Sequence, residues 1–303
     1  MDVVRLWGRN GARAEIVPAW GGSMLALEIG GRPVLEPASF DEIARKPTSY
    51  GIPILFPFPN RIRDGRFSFE GLDLKIEPPR HGLVRDKPWR VTGSGAGEAQ
   101  AWSTLRLDAR DHREAILAQF PFPFELDATY RLGERALEIE VTARNVGSRA
   151  MPTGFGIHPY FQAPVDGTVS VPASELWELS DSLPTGNVVP VDDHRDLREA
   201  RAIAGLALDD VYTGVASSVD GLARCVILDP RAGWRTLIEF DPRPLPEVVV
   251  YTPPSRRAIC IEPQSCPTDA FNLAARGIDA HVVRLAPGAE VRWSVAIRSE
   301  PAV

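Results

Sequence analysis

Cysteines are few in this sequence, and the short motifs typical of cofactor and metal sites are missing. The three cysteines, Cys225, Cys260 and Cys266, form no CxxC pair, which predicts reduced thiols rather than a disulfide framework. There is no GxGxxG after a predicted strand, no GxxxxGK followed by Ser or Thr, no HExxH and no GxSxG. Histidines, cysteines and aspartates are also too scattered to predict a metal site.

Long hydrophobic runs and an excess of basic residues are absent as well. The longest apolar stretch, residues 50–59, is far too short to span a bilayer and is interrupted by prolines. The first residues lack a basic segment followed by an apolar one, so we expect no signal peptide and a cytoplasmic protein. A net charge of −6 predicts neither nucleic acid nor a membrane surface as a partner.

Alternation of apolar and polar residues is the strongest pattern present. One arm of a predicted antiparallel hairpin runs from Phe124 to Leu132, and the other runs from Leu137 to Ala143 after a turn at Gly133. Residues 224–242 predict a second hairpin. Residues 246–264 predict two strands around a proline turn, with both faces buried. Val291, Trp293, Val295 and Ile297 are predicted to share one face of a further strand.

Helical signals are limited to two short segments, residues 39–47 and 268–277, the first after a Ser39 or Asp41 cap and the second ending at Gly277. The 28 prolines and 25 glycines separate strands rather than cluster, and no linker divides the chain. We therefore predict an all-β protein, a large antiparallel β-sandwich that forms a single domain over residues 1–303.

Two of the five histidines stand out. His158 lies in the apolar stretch GFGIHPYF, where desolvation would lower its pKa, and His81 precedes a glycine in a proline-rich loop, where the backbone can approach a ligand closely. A satisfied core histidine is the alternative for His158. The other three are expected to be exposed or incidental: His112, His194 and His281.

Glu262 follows three apolar residues at the predicted end of a buried strand, and we expect Pro263 to stop the ladder there. A carboxyl group in that position is either ion-paired or has a raised pKa suited to a general base. Asn60 and Arg61 follow a run of prolines and aromatics and are expected to open a strand. They could face a polar ligand, although a cap and a surface arginine are the simpler interpretation.

Five stretches, taken in order, resemble the aldose 1-epimerase family, also called galactose mutarotases: PNRIRDGRF, HGLVRDKPW, GFGIHPYF, LDDVYTG and EPQSCPTDAFN. The resemblance runs from about Asn60 to Asn272. It implies a galactose mutarotase-like supersandwich, a large antiparallel β-sandwich whose concave face binds the sugar. The sequence departs from the best-known members, which carry asparagines just before the histidine where this chain has Gly154, Gly156 and Ile157.

The resemblance also implies a role for each site residue. Glu262 would be the general base and His158 the general acid. Arg61 and His81 would bind sugar hydroxyls and the ring oxygen, with Asn60 beside them. The substrate aspartate would be Asp209, although Asp210 is adjacent and the register between them stays open.

The activity implied is interconversion of the α and β anomers of a free aldose, an isomerase reaction. A base takes the proton of the C1 hydroxyl, an acid protonates the ring oxygen, and the ring opens and recloses. Two titratable groups near neutrality would suffice, so no cofactor is needed and the partner is a small sugar.

Three alternatives remain at this stage. The arginines near His81, namely Arg85 with Arg61 and Arg63, would suit a hexose-6-phosphate 1-epimerase. The departure at residues 154–157 would suit a non-catalytic carbohydrate-binding protein. A glycoside hydrolase would need two carboxyl groups, for which Glu262 and Asp209 are candidates, but a histidine acid fits that scheme poorly.

Overall fold

The computed structural model describes residues 2–302, except for the side chains at positions 40, 44 and 47. In the first half of the chain the strands are β1 Val4–Trp7, β2 Arg13–Val17, β3 Ser23–Ile29, β4 Arg32–Pro33, β5 Ile54–Leu55, β6 Arg66–Phe69, β7 Leu72–Lys75, β8 Arg90–Ala96, β9 Ala101–Asp108, β10 Phe124–Leu132, β11 Ala136–Asn145 and β12 Met151–Thr153. In the second half they are β13 Gly156–Ile157, β14 Tyr160–Gln162, β15 Thr168–Ser170, β16 Ala173–Ser180, β17 Leu183–Pro190, β18 Arg201–Ala202, β19 Asp209–Val215, β20 Ala223–Asp229, β21 Trp234–Phe240, β22 Glu247–Tyr251, β23 Ala258–Gln264, β24 Val283–Leu285 and β25 Glu290–Pro301.

Two large sheets dominate the architecture, and the strand pairs within them are antiparallel. One has nine strands in the order β18-β15-β20-β21-β25-β11-β10-β9-β8. The other has eight, in the order β17-β16-β19-β22-β23-β13-β5, with β14 also paired to β23. Smaller sheets are formed by β1 to β4, by β6 with β7, and by β12 with β24. The prediction of a large antiparallel β-sandwich is confirmed.

The strongest predicted hairpin is confirmed residue by residue. β10 and β11 pair from Phe124 opposite Asn145 to Leu132 opposite Leu137. Every second residue of β10, beginning with Phe124, is fully buried, while the residues between are only partly buried. Burial of one face explains the alternation, because side chains of a strand point to opposite faces in turn. The hairpin of β20 with β21 is confirmed as well.

Strands β22 and β23 are buried on both faces, as predicted, but β23 does not stop at Pro263. Pro263 pairs with Val248 and the strand continues to Gln264. On its other side β23 pairs with β13 only at Gln264 and with β14 only over 258–260. No ladder partner faces Pro263 there, so the missing N–H of the proline is tolerated at this position.

The two predicted helices are also confirmed. α1, Phe40–Arg45, begins after Ser39, whose hydroxyl accepts from the N–H of Glu42 while the Glu42 side chain accepts from the N–H of Ser39. α2, Ala270–Ala275, ends two residues before Gly277. Neither of these helices, nor any other in the described residues, is long and apolar enough to cross a membrane.

The main core lies between the two large sheets. Trp293 of β25 stacks on Phe155, which precedes β13, with ring centroids 4.8 Å apart. Ile259 and Ile261 of β23 also belong to this core. Their neighbours Cys260, Glu262 and Gln264 therefore point to the opposite face of the eight-stranded sheet. The three cysteines are buried and unpaired, as predicted.

Candidate active site

A cleft of about 330 Å³ lies on that opposite face of the eight-stranded sheet. Its walls carry more polar than apolar groups, and five of the lining residues come from the loop between β5 and β6 or from the loop between β7 and β8. The lining residues are Thr48, Ser49, Asn60, Arg61, Arg80, His81, Arg85, His158, Tyr160, Asp209, Val249, Tyr251 and Glu262. All six site residues predicted from the sequence are among them.

Strand register explains how residues far apart in the chain reach this cleft. Asp209 of β19 lies opposite Tyr251 of β22, and Tyr251 lies opposite Cys260 of β23. One row further along, Val249 lies opposite Glu262. Paired residues of neighbouring strands project from the same face of a sheet, so Asp209, Tyr251 and Glu262 share one surface.

Loops supply the remaining groups. His158 lies between β13 and β14, and its backbone N–H donates to the carbonyl of Pro53 over 3.0 Å. Asn60 and His81 both have positive φ, 52° and 63°, and the Asn60 carbonyl accepts from the His81 N–H. These left-handed residues turn the loop inwards, so the prediction that Asn60 and Arg61 open a strand is wrong.

The reason for the glycine after His81 also differs from the prediction. Gly82 has φ of 70°, and a Cβ there would lie 2.2 Å from the backbone oxygen of Phe56. The close approach is therefore to the protein's own chain, not to a ligand. It fixes the loop that carries His81 against the segment that precedes Asn60.

A carboxyl group and an imidazole meet at the base of the cleft. His158 Nε2 lies 3.2 Å from Glu262 Oε1, and both side chains are almost fully buried. Burial raises the pKa of Glu262 well above its ordinary value, and the nearby Asp209 carboxylate raises it further. A hydrogen bond donated by Gln264 Nε2 to Glu262 Oε2, 3.1 Å long, acts in the opposite direction.

Aromatic rings enclose His158. The Tyr160 ring stacks on it with centroids 4.7 Å apart, and the His81 ring meets it edge-on at 5.3 Å. Burial, assisted by the cationic Arg85 and Arg80, lowers the pKa of His158 to about 3. We expected a histidine that titrates near neutrality. The structure instead favours a neutral imidazole, because desolvation opposes the cation.

The aspartate register left open by the sequence is visible in the structure. Asp209 lies in the cleft, where its Oδ2 is 3.4 Å from Arg61 Nη2. Asp210 projects to the other face of β19, where its Oδ1 is 3.4 Å from Arg195 Nη1. Alternation along the strand therefore gives Asp209 and Asp210 different surroundings.

Several arginines concentrate positive charge around the cleft. Arg80 and Arg85 line it, and neither forms an ion pair with a carboxylate of the described residues. Burial lowers the pKa of Arg85. The pKa of Arg61 is also lowered, by burial and by repulsion from Arg80. Arg63, grouped with them from the sequence, lies outside the cleft lining and pairs with Asp269.

One group of side chains has the donor types of a metal site. The ligand atoms of His158, Cys260 and Glu262 lie within 4.8 Å of one another. Burial raises the pKa of the Cys260 thiol well above its ordinary value, which opposes the thiolate that a metal prefers. A metal here would also occupy both members of the acid–base pair.

Sequence reasoning missed three residues in or beside the cleft. Tyr251 was hidden in a continuous apolar run, and only its register opposite Cys260 places it in the site. Arg80 lies in the loop next to His81, and an isolated bridge pairs it with Arg61. Gln264 lies two residues beyond Glu262 on the same strand, so the period of two was the signal that could have found it.

His281 is exposed, as predicted, but it also contacts a buried carboxyl group. Its Nδ1 lies 3.0 Å from Oε1 of Glu247, a fully buried carboxyl group on β22. The other carboxyl oxygen of Glu247 accepts from Trp177 Nε1 over 3.2 Å. Hydrogen bonding to Glu247 raises the pKa of His281. His281 therefore provides a partner for the buried carboxyl group of Glu247 on β22, a strand that lines the cleft.

The fold and the cleft together define an antiparallel β-sandwich protein with a carboxyl–imidazole pair at the base of a polar, small-molecule-sized cleft. Residues 2–298 match the family Aldose 1-epimerase, and the chain belongs to that family. This confirms the resemblance inferred from the five sequence stretches.

Individual relatives and solved structures are similar to this chain over most of its length. The uncharacterized protein YihR of Escherichia coli K12 is 24% identical over 75% of this chain and 72% of its own length. A galactose mutarotase-like protein from Clostridium acetobutylicum superposes with a TM-score of 0.87 at 22% identity, covering 98% of this chain and 94% of that one. The Slr1438 protein of Synechocystis sp. PCC 6803 superposes with a TM-score of 0.81 at 27% identity, covering 99% and 96%.

Proposed function

We propose that this protein is an aldose 1-epimerase, an isomerase that interconverts the α and β anomers of a free aldose. The observation that carries the proposal is the contact of 3.2 Å between His158 Nε2 and Glu262 Oε1 at the base of the cleft. Ring opening of a cyclic aldose needs one group to accept a proton and another to donate one, and this pair supplies both.

Burial determines how the pair holds its protons. The uncharged arrangement is favoured, with the proton on Glu262 and His158 neutral, because burial disfavours a charge on either group. Transfer of that proton across the hydrogen bond gives a carboxylate and an imidazolium with no change in the total number of protons. The active species is therefore the singly protonated pair, and activity falls when the pair gains or loses one proton.

In the charged arrangement Glu262 takes the proton of the C1 hydroxyl while His158 protonates the ring oxygen. The ring opens, rotation about C1–C2 exchanges the two faces of the aldehyde, and the reverse transfers close the ring on the other anomer. No group is transferred and nothing is oxidised, so the two side chains balance the reaction without a cofactor.

The rest of the cleft is suited to a sugar. Arg61 and Asp209 offer a charged donor and acceptor 3.4 Å apart, and Asn60 and His81 add an amide and an imidazole. Such groups can bind adjacent hydroxyls of a pyranose ring through charge-assisted hydrogen bonds. We propose that these four residues bind the substrate and that a small sugar is the partner of this protein.

The test follows the anomeric protons of fresh α-D-glucose and α-D-galactose by NMR with wild-type protein and Glu262→Gln. We expect acceleration by the wild type and a kcat lower by about 10²- to 10⁴-fold in the variant, because the amide cannot accept the proton. Full activity of Glu262→Gln on every active sugar would contradict the mechanism. Calorimetric sugar binding without any acceleration would identify a non-catalytic sugar-binding protein instead.

A second candidate, a hexose-6-phosphate 1-epimerase, is favoured by one observation, the two cleft arginines that form no ion pair with any carboxylate of residues 2–302. Arg80 and Arg85 could both reach an anionic group of a sugar bound over Glu262. The test compares kcat/KM for glucose 6-phosphate and glucose. Preference for the phosphate, reduced about 10- to 100-fold in Arg85→Ala but retained in Arg63→Ala, would support this substrate. Equal values for both sugars would remove it.

A further inference from the structure

We infer that Gln264 is a positioning residue that orients the Glu262 carboxyl group, and that Gly156 lacks a side chain in order to admit Gln264. The inference rests on the proposed function, in which Glu262 exchanges protons with the substrate. It concerns the neighbour of Glu262 on its own strand.

The contacts of Glu262 place its two carboxyl oxygens in different surroundings. Oε1 lies 3.2 Å from His158 Nε2, and Oε2 accepts from Gln264 Nε2 over 3.1 Å. Both Glu262 and Gln264 lie on β23 two residues apart, so their side chains project from the same face. Because each oxygen has its own partner, rotation of the Glu262 carboxyl group is restricted and Oε1 is kept facing His158.

Packing and stability of the fold do not explain why a glutamine lies at position 264. It is fully buried, and its Oε1 has no hydrogen-bond partner within residues 2–302. An unsatisfied buried amide oxygen is unfavourable, and an apolar side chain would avoid it. The hydrogen bond from Gln264 to Glu262 is therefore made at the expense of folding stability. Such a loss of stability is typical of residues in functional sites.

Gly156 provides the space for this amide. It lies opposite Gln264 in the pairing of β13 with β23. A Cβ on Gly156 would lie 2.9 Å from Gln264 Cγ and 3.1 Å from Pro59 Cβ. Its φ is not positive, so space and not backbone conformation requires glycine here. An alanine would press directly on the side chain that holds Glu262.

The neighbour on the other side does not compete for the amide. Glu247 of β22 pairs with Gln264 in register, but its carboxyl oxygens are occupied by Trp177 and His281. Gln264 is thereby directed along its own strand to Glu262. Other titratable or charged groups also face Glu262 or influence the cleft, and they remain unchanged in the experiment below: His158, Asp209, Cys260, Tyr160, Tyr251, Arg61, Arg80, Arg85 and His81.

The experiment compares wild type with Gln264→Met, which keeps the length of the side chain and removes the N–H donor. We expect kcat to fall about tenfold with KM changed by less than about twofold. The basic limb of the pH–kcat profile, where the pair loses the proton held on Glu262, should move up by about one pH unit, because the carboxylate form of Glu262 loses a hydrogen bond. An unchanged kcat and an unchanged limb would overturn the inference.

Two glycine variants separate positioning from packing. Gly156→Ala should shift the basic limb in the same direction, since it displaces Gln264. Gly154→Ala is the matched control, because its Cβ would meet Cys266 Sγ and not Gln264. It should lower the melting temperature and leave the limb in place. The same limb shift in Gly154→Ala would assign the effect to general distortion and overturn the inference.

A readout without substrate keeps this test independent of the proposed function. Infrared titration of the ligand-free protein, with Glu262→Gln subtracted, reports the protonated carboxyl of Glu262 directly. Gln264→Met should move this titration to higher pH, and an unmoved titration would overturn the inference. The Glu262 titration could move to higher pH in Gln264→Met although the wild type accelerates anomer interconversion of no sugar. That result would disprove the proposed function while supporting the contact between Gln264 and Glu262.

Discussion

His158 and His81 are enclosed in the cleft wall with ring centroids 5.3 Å apart. Neither can take up a proton without placing a cation in a desolvated site that already faces Arg80 and Arg85. In the unfolded chain the same rings are hydrated and protonate near their ordinary pKa of 6.5. Each histidine therefore binds fewer protons in the folded state than in the unfolded state over the pH range below 6.5.

This difference predicts how stability depends on pH. As the pH falls below 6.5, protons stabilise the unfolded state, so the free energy of unfolding should decrease by up to about 1.4 kcal/mol per pH unit for each histidine. His158→Asn removes one of these groups. Urea unfolding at pH 7, 6 and 5 should therefore give a smaller acid-induced loss for His158→Asn than for the wild type.

The comparison must allow for Glu262, whose contribution has the opposite sign. Its raised pKa means that the folded state retains a proton which the unfolded state releases, so this contribution to stability is lost as the pH rises. Because Glu262 is present in both proteins, the difference between them reports His158. Parallel stability curves for wild type and His158→Asn would show that burial does not suppress protonation of this histidine.

Strands determine which side chains reach the cleft. The alternation along β10, β11 and β25 could be predicted from the sequence because one face of each strand is buried and the other faces solvent. β22 and β23 are buried on both faces, so no alternation marks which of their residues turn towards the cleft. Glu262 could be chosen from its chemistry, and Gln264 could follow from the period of two along the same strand, but Tyr251 required the register of the neighbouring strand.

The pair Asp209 and Asp210 on β19 tests this dependence on strand direction. Asp209→Asn should lower kcat/KM by about 10- to 100-fold, because the substrate loses a charged acceptor beside Arg61. Asp210→Asn is chemically the same change one residue along, facing Arg195 on the other side. It should leave kcat/KM within about twofold and lower stability by no more than about 1 kcal/mol. Steady-state kinetics and urea unfolding of both variants check this.

Similar kinetic losses in the two variants would mean that β19 does not present its residues as the register indicates. A larger loss in Asp210→Asn would instead make it the substrate aspartate.

Loops limit the sequence argument in a different way. The positive φ of Asn60 and of His81 follows from contacts with distant backbone, and no local pattern predicts it.

At the scale of the whole molecule, the fold class was accessible from the sequence but the arrangement of the sheets was not. Many short alternating strands separated by turns predict an antiparallel sandwich. The order β19-β22-β23-β13-β5 pairs strands that are up to about one hundred residues apart in the chain. Such pairing depends on which faces fit together in the core, and a single sequence does not record it.

One contact joins the two large sheets close to the active site. Trp293 of the nine-stranded sheet is 1% exposed, stacks on Phe155 and meets Phe56 edge-on at 6.4 Å. Phe155 directly precedes Gly156 and the loop that carries His158. The packing of the sandwich is thus continuous with the support of the acid–base pair, and a cavity made at Trp293 should affect both.

We therefore predict that Trp293→Ala lowers the free energy of unfolding by about 3–5 kcal/mol, through lost burial and the cavity that remains. Because Phe155 then lacks its stacking partner, kcat should fall while the shape of the pH–kcat profile is retained, since Glu262 and Gln264 are untouched. Trp7, which is 62% exposed, provides the matched control, and Trp7→Ala should cost less than about 1 kcal/mol. Equal losses in the two variants, measured by urea unfolding, would show that the sheets are not held together at Trp293.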